Sequence, residues 1–455
     1  MKILKDLIGL SPLFFIGLLL VFNRPFVGLR LFGYRIGEFL IAAGFGLAIA
    51  TVLIFIINKR YLFFFESNST KIYFSLIVSS FFISIFITYD TNIFDTYIYR
   101  ISSYIWTTSY IFAGAYLLNN QDLLRKYKSV LLPLFLFVPI AHYVMSTGYY
   151  PNFIIDFFKI NSDKFEFTKA SDIMISILVA NLLNYKLTVS KYFKFSYMIF
   201  SFALLSPLLL LMSRGAFLSI LVFFLMSVFY FRTYILENLK KVAYMSVFSL
   251  IVLVLSIYNV NGVDYSFNVN FGGNIINTEG EDDLSLSSNL EKIVKKDQQR
   301  NAFLSLYIQD GRIMSVDQTT NWRLDIWQDV VEDMNKKNLI IRGYGYNEII
   351  PVMTDPSAPG RLGRDGLNEH VHNYFVNIFA RGGIFQLIFF ILFHVSIVLY
   401  WNRKYLNYTI LIYLIPSLIC ASLDMSMEGV QYPIVYYLFL GYLLSTHQKS
   451  KIINF

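Results

Sequence analysis

Apolar runs long enough to cross about 30 Å of hydrocarbon as helix recur along the 455-residue chain. They fall at residues 8–22, 39–57, 72–89, 101–118, 130–145, 173–183, 195–212, 216–231, 242–258, 374–400, 408–423 and 435–444. The pattern predicts an all-α polytopic membrane protein with about twelve spans, the sixth and twelfth being the weakest runs. One polar insert, residues 259–369, interrupts the series and leads back into it through His370-Val371-His372-Asn373. The chain therefore divides into nine spans (1–258), a large outer loop (259–373) and three closing spans (374–455).

Inside the insert, residues 279–288 are acidic and serine-rich with little to bury, which predicts a mobile linker. From Asn289 the pattern turns helical, with Leu290, Ile293, Val294, Phe303, Leu306 and Tyr307 at helical spacings. A second helix is better defined. Thr320 or Asn321 can cap it, and Trp322, Ile326 and Val330 repeat every four residues. Trp327, Val331 and Met334 widen its apolar stripe, and it should end by residues 335–338. The proline- and glycine-rich stretch 351–366 predicts an irregular lid or binding loop carrying Arg361 and Arg364.

Composition agrees with the span pattern. With 56% hydrophobic, 18% aromatic and 15% charged residues, the chain is too apolar for a soluble globule of its length. Its net charge of +8 is explained by topology rather than by affinity for nucleic acid. With both termini cytoplasmic, the cytoplasmic segments hold most of the lysines, among them Lys59, Lys71, Lys126, Lys128, Lys191, Lys194, Lys240, Lys241 and Lys404. The opposite loops carry chiefly Arg24, Arg30, Arg35, Arg100, Lys159, Lys164, Lys169 and Arg214, and the positive-inside rule puts the insert outside the cytoplasm. The first span lacks a small-residue cleavage site and reads as a retained signal anchor. The single cysteine, Cys420, lies in a late span, so the insert must fold by packing and by docking on the helices.

Several side chains could carry chemistry. Arg214, in Ser213-Arg214-Gly215-Ala216, falls between two spans with almost no loop. It is either a snorkelling anchor or a guanidinium placed to hold a phosphate at headgroup depth. Arg323 lies in the first turn of the Trp322 helix, where it opposes the helix dipole. It is either solvated near Asp325 or Asp329 or kept there for another purpose. His370 and His372 would share one side of an extended chain, but no third ligand at a recognisable spacing accompanies them as a metal site. Either could serve as a general base near neutral pH or be structural, with Asn373 as an orienting or capping partner. Arg381 would sit inside the membrane with Asp424 or Glu428 as its partner. His142 and His394 lie in or near spans, where neutral histidines also bridge helices. Asp90 and Asp95 form an acidic pair on the outer face. No nucleotide-binding glycine motif and no hydrolase serine elbow is present.

Three segments together resemble the O-antigen ligase and polymerase superfamily of bacterial membrane glycosyltransferases. Leu209-Leu210-Leu211-Met212-Ser213-Arg214-Gly215-Ala216 is similar to that family's Ser-Arg-Gly signature. Trp322-Arg323-Leu324-Asp325-Ile326-Trp327 with Gly343-Tyr344-Gly345 is similar to its Arg-x-x-x-Trp helix and glycine turn. His372-Asn373-Tyr374-Phe375-Val376 with Gly382 resembles its His-Asn segment after the periplasmic loop; Phe385 departs from it where many members carry a second glycine. The resemblance covers residues 205–393 and implies a GT-C-like fold in the inner membrane, with the insert in the periplasm. It implies an undecaprenyl-pyrophosphate-linked oligosaccharide as donor, with no cofactor, metal or nucleotide sugar. In that scheme His372 takes the proton from the acceptor hydroxyl, and Arg214 and Arg323 neutralise the departing pyrophosphate. His370, Arg342, Arg361, Arg364 and Arg381 would contact substrate, and a chain-length regulator is a candidate partner. An O-antigen or capsule repeat-unit polymerase is the expected activity. A ligase onto lipid A-core and a lipid-linked oligosaccharide flippase are the rivals.

Overall fold

The computed structural model describes residues 2–57, 67–87, 95–118, 121–147, 149–164, 168–260, 273–274, 305–362 and 369–445. In chain order its helices are α1 (Lys2–Gly28), α2 (Ile36–Ile57), α3 (Asn68–Ile87), α4 (Thr96–Ile101), α5 (Ser103–Trp106), α6 (Tyr110–Leu117), α7 (Gln121–Lys126), α8 (Lys128–Ser146) and α9 (Asn152–Asn161). They continue as α10 (Ala170–Leu187), α11 (Lys191–Met212), α12 (Arg214–Tyr230), α13 (Arg232–Glu237), α14 (Leu239–Val260), α15 (Gln318–Lys336), α16 (Tyr374–Tyr405), α17 (Leu411–Leu423) and α18 (Gln431–Leu444). The fold is all-α and polytopic.

Each of the twelve apolar runs falls on helix, but among the described residues only seven helices are long and apolar enough to cross a membrane unaided: α1 from Gly9, α2, α3, α8, α11, α14 and α16. The others are short or broken for identifiable reasons. α10 and α18 are buried along nearly their whole length by neighbouring helices, so protein replaces lipid around them and neither length nor uniform apolarity is required. The fourth run is split into α4, α5, a 3-10 turn at Thr107–Ser109 and α6. Hydroxyls there compete for backbone carbonyls: Thr108 Oγ1 donates to Ile105 O (2.5 Å) and Ser109 Oγ to Trp106 O (2.7 Å) and to Gly44 O on α2 (2.8 Å).

The α6–α18 crossing is close for a reason visible in two residues. A Cβ on Gly114 would meet Leu438 O at 2.0 Å, and one on Gly441 would meet Ile111 O at 2.0 Å. Only glycine lets these backbones approach so far.

The insert has a small core of Ile326, Val330, Met334, Ile350, Val352, Met353 and Val371 that packs on Ala380 of α16. The expected helical run through Leu306 and Tyr307 is a correction: Leu306–Gln309 pairs antiparallel with Arg312–Ser315. Asp310 and Gly311 at the turn have φ of 50° and 77°, the geometry of an Asp-Gly hairpin. The rest of the run expected from Asn289, 289–304, and the acidic linker at 279–288 lie outside the described residues. Helix α15 is present, but its cap is Asp317 rather than Thr320 or Asn321. Asp317 accepts from Thr320 N (2.9 Å) and Thr320 Oγ1 (2.6 Å).

Docking of the insert on the bundle uses backbone contact and a buried polar network. Tyr344 N donates to Ala380 O (2.7 Å), Gly345 N to Arg381 O (3.0 Å) and Ile384 N to Ile340 O (2.8 Å). Gly343 and Gly383, both in the left-handed region, make this approach possible. Beneath them Tyr104 and Tyr346 donate to Gln386 Oε1 (2.7 and 2.9 Å), and Gln386 Nε2 donates to Ser80 Oγ (3.1 Å). A satisfied buried network of this kind fixes one relative position of the parts it joins.

Candidate active site

Ser213 is both the last cap of α11 and the first cap of α12, its hydroxyl accepting from Ala216 N at 3.3 Å. A single residue therefore joins two apolar helices, and Arg214 is fixed at their shared end. The Arg214 guanidinium reaches the insert, where its Nη1 lies 3.4 Å from Asp317 Oδ1. Helix α15 starts at that same aspartate and presents Arg323 to the same side, where it donates to Leu423 O at the end of α17.

Both arginines line a cavity of about 350 Å³ whose other polar walls include Thr168, Lys169, Asp317, Thr320 and Asp424. That volume is in the range of small-molecule sites. Three cations (Lys169, Arg214, Arg323) face two carboxylates (Asp317, Asp424), so the cavity is net cationic and ready to exchange carboxylate partners for a bound anion. Burial, chiefly, pushes the Lys169 ammonium down, with Arg24 acting the same way and Asp424, Asp172 and Glu428 against it.

His372 stands beside this cavity. The rings of Trp322 and His372 meet edge to face at 5.1 Å, Trp327 Nε1 donates to Val371 O (2.7 Å), and His372 itself adopts φ 54°. Asn373 then caps α16, accepting from Phe375 N (2.9 Å) and Val376 N (3.1 Å). Burial, then Arg323 and Lys169, lowers the His372 imidazole to about 3. It is neutral across the physiological range, the form a base requires. His370 is also lowered to about 3, by burial and then Arg381, His372, Arg100 and Lys164. The two histidines therefore answer to different cations, and His372 lies in the left-handed region, so the pair is not aligned by a regular extended backbone.

The remaining candidates are distributed. Arg361 is 3% exposed; it donates to Val352 O (3.0 Å) and pairs with Asp325 and Asp329 (2.5 Å to the latter). Arg312 joins the same aspartates at 2.8 and 2.6 Å, so these carboxylates serve the far face of α15 and leave Arg323 to the cavity. Arg381 is 1% exposed and donates to Gly345 O (3.2 Å), Glu348 O (2.5 Å) and Tyr97 Oη (3.4 Å). Its partners are thus backbone carbonyls of the docked insert and Tyr97 on α4, rather than Asp424 or Glu428. Arg342 is exposed, and Arg364 lies outside the described residues. His142 Nε2 is 2.7 Å from Leu20 O and His394 Nδ1 2.9 Å from Phe390 O, helix-bridging and helix-internal contacts respectively. Asp95 caps α4 through Tyr97 N (2.7 Å), and Asp90 lies outside the described residues.

Lys169, Asp317 and Asp424 are the charged cavity residues that sequence reasoning did not assign to it. Lys169 had only a signal it shares with Lys159 and Lys164, a lysine on the side where positive charge is sparser. Glu428, 9% exposed, follows Asp424 in the α17–α18 connection, and burial pushes its carboxyl up to about 8.

Residues 198–391 match the family model described as O-antigen ligase. No curated protein matched the chain. The matched segment runs from α11 through Arg214, Arg323 and His372 into α16. Over that segment the chain is similar to the O-antigen ligase family.

Proposed function

We propose that the protein polymerises O-antigen or capsule repeat units at the periplasmic face of the inner membrane, from undecaprenyl-pyrophosphate-linked donors. The observation that carries this reading is the convergence of Arg214 and Arg323, from separate parts of the chain, on one net cationic cavity beside a neutral His372.

In the proposed step an acceptor sugar hydroxyl gives its proton to the His372 imidazole as its oxygen attacks the anomeric carbon. The bond between that carbon and the pyrophosphate oxygen breaks, its electron pair leaves with the undecaprenyl pyrophosphate, and the configuration inverts. Arg214, Arg323 and Lys169 stabilise the charge that gathers on the leaving group. The bound anion also offsets the cations that act on His372, raising its basicity when the donor is in place. No metal is needed in this scheme, because the guanidinium groups provide the charge stabilisation.

The second reading is the ligase that moves finished polymer onto lipid A-core, and the description of the matched family favours it. Gene disruption separates the two. Loss of a polymerase leaves core bearing at most one repeat unit, whereas loss of a ligase leaves bare core and polymer stranded on its carrier. A flippase, the reading from another class, would transfer no sugar in vitro.

A further inference from the structure

A second site lies at the end of the bundle away from the insert, where α8 and α11 start side by side and α14 starts against α11. Lys194, in the first turn of α11, is only 6% exposed. The charges that act on it are Lys191 and Lys128, and among the described residues it has no carboxylate or other acceptor. Lys240 and Lys241 are exposed on the first turn of α14, with Glu237 on α13 as the acid of that connection. Three ammonium groups gathered at one end of the bundle repel one another, and a bound anion relieves that repulsion.

Next to these lysines, between α11 and α14, runs a groove of about 450 Å³ lined by Tyr192, Phe193, Tyr197, Phe200, Tyr244 and Phe248. Tyr197 links the groove to the lysines. Tyr197 follows Lys194 by three residues and so lies on the same helix face, and its hydroxyl donates to Leu136 O on α8 (2.7 Å). Helix ends put the lysines at headgroup depth and the aromatic groove at acyl-chain depth.

We propose that this is a binding site for one anionic phospholipid, its phosphate held by Lys128, Lys191 and Lys194 and one acyl chain laid in the groove. A zwitterionic lipid brings no net charge to offset the lysines and binds more weakly. The site is separate from the sugar-transfer cavity and does not depend on the reading of that cavity.

The test uses the full-length protein in nanodiscs of phosphatidylcholine containing graded phosphatidylglycerol, with lipid retained after detergent exchange counted by native mass spectrometry. One phosphatidylglycerol is expected to be retained in preference to phosphatidylcholine. Lys191→Gln with Lys194→Gln should weaken that retention by about tenfold or more, and Ser249→Phe, which fills the groove and leaves the lysines, should abolish it. Equal retention of the two lipids by the native protein, or unchanged retention in the lysine double variant or in Ser249→Phe, overturns the proposal. Thermal unfolding in phosphatidylcholine alone verifies that each variant is folded. If the double variant is not, the exposed Lys191→Gln carries the test with a loss of roughly fivefold.

Discussion

Arg214 Nη1 lies 3.4 Å from Asp317 Oδ1, and the same aspartate caps the helix that carries Arg323. One carboxylate thus ties the α11–α12 joint to the insert and sets the second arginine. Its two duties can be separated. Asp317→Asn keeps a good cap but removes a negative charge from the cavity, so stability should hold while KM for the donor falls. Asp317→Ala should also lose about 1 kcal/mol of stability. Thermal unfolding and donor titration on both variants check this, and equal destabilisation by the two would show that the charge rather than the cap is what stabilises.

His372 and His370 are held at about 3 in the free protein, against an ordinary value near 6.5. Labelled-histidine NMR at pH 5 should find both rings neutral. Adding undecaprenyl pyrophosphate should raise the midpoint of His372, whose lowering comes partly from Arg323 and Lys169, more than that of His370. A free-protein midpoint near 6.5 for His372 would contradict the described surroundings.

Glu428 has the opposite sign. Its carboxyl is raised from its ordinary 4.5 to about 8, so the folded state binds the proton more tightly than the unfolded chain. That contribution is complete below about 4.5 and is lost as pH rises toward 8. Glu428→Gln should therefore gain stability over the native protein as pH rises from 5 to 8, in paired unfolding curves. A difference that does not change with pH would exclude a raised Glu428.

Insert docking rests on glycine at two facing positions. A Cβ on Gly343, at φ 74°, would lie 2.3 Å from Arg381 O. Gly343→Ala should cost at least about 1 kcal/mol from the backbone alone and open the insert to limited proteolysis. Unchanged protease resistance would mean that the Tyr104–Tyr346–Gln386 network holds the insert without the glycine contact.

The sequence made the spans legible because lipid and helix interior both demand apolar runs, and it made α15 legible because Ile326, Val330 and Met334 repeat on one face. The Leu306–Ser315 hairpin was missed although Asp310-Gly311 marks it, because Leu306 and Tyr307 also fit a helical spacing extended from earlier residues. Arg214, Arg323 and His372 stood out by position and resemblance. Lys169 and Asp424 did not, since membership of the cavity depends on how α10 starts and α17 ends beside α15, which no local pattern encodes. Arg361 and Arg381 looked equally available in the sequence, and only packing reveals that Asp325, Asp329 and the Gly345 carbonyl engage them.

The central claim is that His372, Arg214 and Arg323 form one transfer site. The most direct test is turnover of an undecaprenyl-pyrophosphate-linked repeat unit by the purified protein in detergent with a chelator present. The native protein should form elongated or transferred glycan. His372→Ala should lose at least about a hundredfold in rate, and Arg214→Ala and Arg323→Ala each roughly 100- to 1,000-fold. Full activity of His372→Ala, or no transfer at all by the native protein with any lipid-linked donor and acceptor, would contradict the account.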